Sequence, residues 1–266
     1  MNAPAKPVAD ALFEPIDSDP LAKKVAEQIE ILVLDGLLKE NTKLPGEREL
    51  AEQLDVSRPK LREGLKLLEQ RGLVRIVAGE GAFVATLSGP AMSPALIALY
   101  NRHPEALDDH LEYRRHQEAF AARLAAERST ADDHARLSAI VATMQTAHDR
   151  GDAARAPELD SDFHLAVVEA SYNRTLIHTM TALYELNRSA VFFSRTELLT
   201  SADVSATLLE QHRGIAEAIV AGDADRAERV SAEHIDYVRG ATLQAFAQRD
   251  RAKLSKKRRL AGTARV

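Results

Sequence analysis

Four side chains in the second half of the chain belong to the types that hold metal ions in proteins. They are Asp160, His164, His212 and His234. Asp160 and His164 are four residues apart, so one helix would carry both on the same face, and the other two histidines fall on successive predicted helices. One carboxylate and three imidazoles suit a divalent ion such as zinc, nickel or manganese. Because the chain has nine histidines, the spacing alone favours ordinary surface or core histidines over a four-ligand site.

Two arginines near residue 60 have the spacing needed to read a DNA base edge. Arg58 and Arg62 share one face of a predicted helix, and arginine can donate two hydrogen bonds to guanine O6 and N7. Arg48 and Lys60 are better placed for phosphates, which add affinity without sequence information. The alternative is an amphipathic helix with solvated arginines. Residues 40–88 carry eight Lys/Arg and eight Asp/Glu, so their charge does not decide between the two.

Arg114 is the best candidate for anion binding in the second half of the chain. A guanidinium that faces a cavity in a helical bundle can bind a carboxylate through two hydrogen bonds. Glu118 lies four residues later, so an ion pair along one helix is an equally good interpretation of the same spacing.

Start and stop signals predict two short helices around the paired arginines. Pro45 favours the start of the first helix, Ser57 is a good N-cap for the second, and Gly72 is a typical C-terminal stop. Two apolar runs, 73–77 and 82–85, then flank a Gly-containing turn and predict a hairpin. A helix-turn-helix followed by a hairpin is the pattern of a winged DNA-binding domain.

The chain from about residue 105 to 248 has a helical pattern throughout. Candidate helices span 105–128, 131–151, 155–171, 173–197, 204–221 and 223–248. Alanine is abundant, glycine is scarce and strand-like alternation is absent, which favours an all-α bundle. The predicted fold is therefore mainly α, with an N-terminal winged helix-turn-helix and a C-terminal all-α helical bundle.

Shifts in composition divide the chain into five segments. They are a mobile N-terminal arm (1–18), the winged helix-turn-helix (19–86), a linker (87–104), the all-α metal- and effector-binding domain (105–248) and a basic tail (249–266). The tail carries eight Lys/Arg and one Asp in a chain of net charge −5. This tail can steer the protein towards phosphate backbones, and a disordered solubilising end is the alternative.

Composition also excludes several classes of protein. The chain has no cysteine, which excludes disulfides, thiolate catalysis and Cys-ligated zinc. It has no apolar run near 18 residues and no basic-then-apolar leader, so we expect a cytoplasmic protein with no membrane partner.

The N-terminal motifs resemble those of the GntR family of bacterial transcription regulators. The pattern is Leu-Pro-x-Glu-Arg-Glu-Leu-Ala from Leu44, Val-Ser-Arg-x-x-x-Arg-Glu from Val56 and Gly-x-Gly-x-Phe-Val from Gly79. The subfamily that the chain resembles is the FadR type, and the match covers roughly residues 19–248. The resemblance implies double-stranded DNA as a partner, with Arg48, Arg58 and Arg62 at the family's DNA-contact positions and Gly79 at the wing tip. Together with Ser57 and Lys60, these are the expected DNA-binding residues.

The second half resembles the all-helical FCD ligand-binding domain of that subfamily. The matching positions are Glu112, Arg114, Glu118, Asp160, His164, Asn173, His212 and His234. The resemblance implies that the Asp and three His hold a divalent metal ion, and that Arg114 and Asn173 contact an effector. Likeness to regulators of lactate, glycolate and pyruvate dehydrogenase metabolism implies a small 2-oxo or 2-hydroxy carboxylate.

The function predicted from these features is ligand-responsive DNA binding by a homodimeric transcription regulator. A twofold dimer requires matching half-sites, so the expected operator is palindromic, and repression is the expected sign. The protein is not expected to be an enzyme. The rival hypothesis is a metal-dependent hydrolase with a basic accessory domain, for which Glu169 and Asp162 are the available general bases. A third is a metal ion that only braces the bundle.

Overall fold

A computed structural model describes residues 20–87, 103–188 and 202–263. The chain divides into two compact units, with the boundary between Leu87 and Ser88. The predicted arm at 1–18, most of the predicted linker and residues 264–266 lie outside the described residues.

The first unit is a winged helix-turn-helix, as predicted. Its elements are α1 (Pro20–Leu34), α2 (Glu47–Gln53), α3 (Arg58–Gln70), β1 (Val74–Val77) and β2 (Gly81–Val84). The two strands are antiparallel and pair from Val74 with Val84 to Val77 with Gly81. A further bridge from Lys43 to Phe83 ties the segment before α2 to the hairpin.

The core of the first unit lies where α1 packs on α3. The buried residues of α1 are Ala22, Val25, Ala26, Ile29 and Val33, and those of α3 include Leu61, Leu65 and Leu68. The sequence pattern predicts Leu21 on the inner face, but Leu21 is 39% exposed and Ala22 is buried instead. The two helices approach closely at Gly64, where the absence of a side chain leaves room for Val25 of α1.

The described part of the second unit contains helices and no strand, as predicted. Its elements are α4 (Pro104–Arg128), α5 (Ala131–Asp149), α6 (Ala156–Ala170), α7 (Arg174–Arg188), α8 (Ala202–Val220) and α9 (Ala224–Thr263). The predicted limits agree to within about two residues at most ends. Helix α7 is described to Arg188, and its predicted end at residue 197 lies outside the described residues. Helix α9 does not end near residue 248, where the sequence predicts its end, and it carries the basic tail as its last turns.

Helix α6 lies in the interior of this unit and is buried on almost every side. Its buried residues run from Leu159 to Ala170 and include Phe163 and His164. Helices α4, α5 and α7 pack against it. One of these neighbours, α5, begins at a reciprocal capping box formed by Thr130 and Asp133.

Replacing Gly64 by alanine should destabilise the protein. A Cβ at this position would lie 2.6 Å from Cγ1 of Val25 and 3.0 Å from the carbonyl oxygen of Ala22. Overpacking costs about 1–3 kcal/mol, which outweighs the gain of about 1 kcal/mol in helix propensity. Urea denaturation followed by circular dichroism would measure the change.

The matched control is Gly214→Ala in α8, where nothing lies within 4 Å of the added Cβ. This variant should be more stable than the parent by about 0.5–1 kcal/mol. If both glycine variants were stabilised alike, the close contact between α1 and α3 would be contradicted.

Candidate metal centre and nucleic-acid interface

The structure brings the four predicted metal-ligand residues together in the core of the second unit. One ligand atom from each of Asp160, His164, His212 and His234 lies within 4.8 Å of the others. Asp160 and His164 are one turn apart on α6, His212 is on α8 and His234 is on α9. Each residue is 1–3% exposed.

The contacts within the cluster are short. Oδ1 of Asp160 lies 3.3 Å from Nε2 of His212 and 3.7 Å from Nε2 of His164. The two Nε2 atoms are 3.3 Å apart. The rings of His234 and His212 are 4.6 Å apart between centroids. Three imidazoles and a carboxylate therefore converge on one small volume.

The chemistry of this donor set fits a divalent metal ion. Burial, together with the neighbouring His212 and His164, lowers the pKa of His234 well below its usual value. His234 is therefore neutral at physiological pH, and the neutral imidazole is the form that binds metal. Buried polar groups need partners, and one cation would serve all four side chains at once.

Two further residues orient the imidazoles. Oε2 of Glu118 lies 2.8 Å from Nδ1 of His164, and Oε1 of Gln211 lies 2.9 Å from Nδ1 of His234. With Nδ1 protonated, each ring keeps Nε2 as its acceptor, and metal-binding histidines are commonly fixed in this way. Gln211 was not among the residues predicted from the sequence, although it directly precedes the predicted ligand His212.

Arg114 makes the ion pair with Glu118 that its spacing allowed. Nε and Nη2 of Arg114 lie 2.8 and 2.7 Å from Oε1 of Glu118, and both residues are buried. Burial would raise the pKa of Glu118, but Arg114 and His164 hold it well below its usual value. The carboxylate of Glu118 thus joins Arg114 to the edge of the cluster of Asp160 and the three histidines. Arg114 also lies over the ring of Tyr184, 5.5 Å from its centroid.

Asn173 caps the start of α7. Its side-chain oxygen accepts a hydrogen bond of 3.2 Å from the backbone N–H of Leu176. The effector contact of Asn173 stays a prediction.

A cavity of about 210 Å³ lies beside the cluster, between α5, α6 and α8. Asp160 and His212 form part of its wall, and most of the remaining lining is apolar, including Met144, Leu159 and Leu208. The other polar residues of the lining are His148, Asp152 and Ser205, and Nδ1 of His148 lies 3.2 Å from the hydroxyl of Ser205. The cavity offers room for a small molecule next to two of the predicted metal ligands.

The general bases considered for a hydrolase are not at this site. Glu169 lies nine residues beyond Asp160 along α6 and forms an ion pair with Arg136. Asp162 is two residues from Asp160, and successive residues two apart point to different sides of a helix.

The paired arginines of the first unit lie on one exposed face of α3. The side chains of Arg58 and Arg62 are 57% and 56% exposed. Both approach Oε2 of Glu47 on α2, Nη2 of Arg58 at 3.7 Å and Nη2 of Arg62 at 2.8 Å. Exposed ion pairs of this kind are worth only about 0–1 kcal/mol. The two guanidinium groups are therefore held together at the surface without being removed from it.

The other predicted DNA-binding residues surround this face or lie on the wing. Lys60 pairs with Glu63 at 2.9 Å, and the side chain of Arg48 is 81% exposed. Ser57 stands at the N-cap of α3 but makes no side-chain capping hydrogen bond. Gly79 has a φ of +79° in the turn between β1 and β2, a conformation that favours glycine.

Both units match known protein families. Residues 21–84 match bacterial regulatory proteins of the gntR family, and residues 109–237 match the FCD domain. In the described part of the chain, no helix is sufficiently long and apolar to cross a membrane.

The matching relatives are bacterial regulators. The chain is 34% identical to the Glc operon transcriptional activator of Escherichia coli (strain K12), over 83% of this chain and 88% of that protein. It is also 34% identical to a provisionally named L-lactate dehydrogenase operon regulatory protein of the same strain, over 91% and 93%. The solved structure of Streptococcus agalactiae GntR aligns with a TM-score of 0.51 and 26% identity, over 83% of this chain and 99% of that chain.

The motifs, the winged fold and the relatives agree with the predicted family and leave no support for the hydrolase hypothesis. The chain belongs to the GntR family of bacterial transcription regulators and is a DNA-binding regulator of the FadR type, with a C-terminal FCD domain.

Proposed function

We propose that this regulator senses a small carboxylate through a divalent metal ion in its FCD domain. The observation that carries the proposal is the buried convergence of Asp160, His164, His212 and His234. Zinc, nickel and manganese suit this set of nitrogen and oxygen donors, which contains no thiolate. When bound, the ion supplies a Lewis-acidic position for effector oxygens.

The proposed effector is a 2-oxo or 2-hydroxy carboxylate. The cavity beside Asp160 and His212 has room for a molecule of that size. Arg114 is linked to the cluster through Glu118, whose carboxylate pairs with its guanidinium, and its contact with the effector stays a prediction. The name of one relative refers to an L-lactate dehydrogenase operon, which fits this chemical class.

The proposed DNA partner is a short palindromic operator bound by a homodimer. Arg58 and Arg62 read base edges. The remaining predicted contact residues bind the DNA backbone; they are Arg48, Ser57, Lys60 and Gly79. The effector changes operator affinity only through its different affinities for two states of the dimer, and a coupling of about 1–3 kcal/mol is enough for a useful switch. Repression stays a prediction, since one relative is named an activator.

Replacing Arg62 by alanine should remove sequence selectivity from DNA binding. A lost pair of hydrogen bonds to guanine costs about 1–3 kcal/mol, or roughly 5- to 150-fold in the preference for operator over scrambled DNA. An operator would first be selected from a random duplex library with the parent protein, and binding would then be measured by fluorescence anisotropy.

The matched control is Lys66→Ala, one turn later on α3, which removes the same charge outside the N-terminal half of the helix. This variant should bind more weakly to all duplexes while keeping its preference. An Arg62→Ala protein with undiminished selectivity would remove Arg62 from base reading.

Replacing His212 by alanine should reduce metal affinity by more than about 100-fold, since loss of an orienting residue alone costs about 10- to 100-fold. Metal content after purification, measured by plasma mass spectrometry, and calorimetric titration with Zn²⁺ would both report it. The control is His178→Ala, which alters an exposed histidine of α7.

Full metal stoichiometry in His212→Ala would exclude this residue from the ligand set. A metal ion that only braces the bundle would give another pattern. Chelation would then lower the melting temperature, while the response of operator binding to effector stayed the same.

Lactate or glycolate should raise the melting temperature of the metal-loaded protein, and propionate should have a much smaller effect. All three acids carry a carboxylate, but only lactate and glycolate add a hydroxyl oxygen next to it that can bind the metal ion. Ligand at about 100 times its dissociation constant stabilises a protein by roughly 2.7 kcal/mol. The measurement is a thermal melt with and without chelator.

Equal shifts of the melting temperature for propionate and lactate would show that the hydroxyl oxygen is not recognised. Shifts that persist after chelation would place the effector away from the metal ion.

A further inference from the structure

The end of α9 extends well beyond the core of its unit. The last buried residue among those described in this helix is Thr242, and the described side chains from residue 247 onward are exposed. The helix continues to Thr263, which adds about 30 Å at 1.5 Å per residue. The described side chains of these last turns lie outside the core of this chain.

The charge of this extension has one sign. Residues 251–263, the basic helix end, contain six Lys/Arg and no Asp or Glu. Arg251, Arg258 and Arg259 fall at positions i, i+7 and i+8, so they share a face, and all three are exposed. Like charges three and four residues apart destabilise a helix. A polyanion that neutralises them would therefore stabilise the segment.

The rest of the chain lacks an excess of positive charge. Residues 20–87, which include the winged helix-turn-helix, contain eleven Lys/Arg and eleven Asp/Glu. Residues 103–248 contain 14 Lys/Arg and 24 Asp/Glu, so they repel DNA. Affinity for DNA depends largely on neutralising phosphates with Lys and Arg. Among these segments, the basic helix end has the largest excess of positive charge for neutralising phosphates.

A membrane surface is a poorer match for the same segment. Helices that lie on membranes carry a continuous apolar face. The sequence of the basic helix end has two large apolar residues, Leu254 and Leu260, which are too few for a continuous apolar face. Charge without an apolar face fits a phosphate backbone in water.

We propose that the basic helix end is a second DNA-binding element, which contacts backbone phosphates without reading sequence. It adds affinity to the selectivity that the winged helix provides. Its contribution is electrostatic, so it decreases steeply with salt.

The test compares the parent protein with the variant R251Q/K253Q/R258Q/R259Q. Glutamine keeps a high helix propensity while it removes four positive charges at exposed positions. The probe is a fluorescent duplex of about 40 base pairs with arbitrary sequence, titrated at about 50 to 200 mM NaCl, because each phosphate contact adds about 0.9 to the slope of log affinity against log salt. The slope should fall by about 3 to 4 for each engaged tail, and affinity at about 100 mM should fall at least tenfold.

The matched control is R150Q/R155Q/R174Q/R229Q, which removes four exposed arginines elsewhere on the second unit and gives the same net charge. Its slope should equal that of the parent. An unchanged slope in the tail variant, or an equal fall in the control, would overturn the proposal. The proposal would also be overturned if the tail variant lost binding to phosphatidylserine vesicles while its salt slope for DNA binding stayed the same. Circular dichroism would check that both variants keep the parent's helix content.

Discussion

Burial of titratable groups in the core of the FCD domain is the constraint on which its architecture depends. Asp160, His164, His212 and His234 come from three helices and are almost completely removed from water. Such groups destabilise a folded protein unless partners satisfy them. The contacts of Glu118 and Gln211 with the rings satisfy part of this requirement, and a divalent cation in the cluster would satisfy more of it. The binding site and the stability of the bundle are therefore two aspects of one arrangement.

Sequence patterns were informative wherever the determining contacts are local. The four-residue spacing of Asp160 and His164, the cap position of Ser57 and the wing turn at Gly79 all follow from short-range rules. The helix limits of the second unit followed from the same rules, except where α9 continues without a stop signal near residue 248.

Contacts between distant parts of the chain were beyond those rules. Spacing alone favoured unconnected histidines, and their convergence depends on how α6, α8 and α9 pack. The exposure of Leu21 and the burial of Ala22 depend on how α1 packs on α3, which no periodicity in α1 reveals. The ion pair of Arg114 with Glu118 was one of two equal interpretations, and only its surroundings show that it is buried.

Glu47 lies beside both arginines that we propose to read DNA. It contacts Arg58 and Arg62, so under this proposal base contacts would replace at least part of these ion pairs. An exposed ion pair is worth about 0–1 kcal/mol, whereas a good pair of hydrogen bonds from arginine to guanine discriminates by about 1–3 kcal/mol. On these values guanine would displace the carboxylate, while a base that offers one acceptor would gain little from the exchange. If Arg58 and Arg62 read bases as proposed, the acid beside them would raise selectivity at a small cost in affinity, and phosphate contacts elsewhere on the chain would offset that cost.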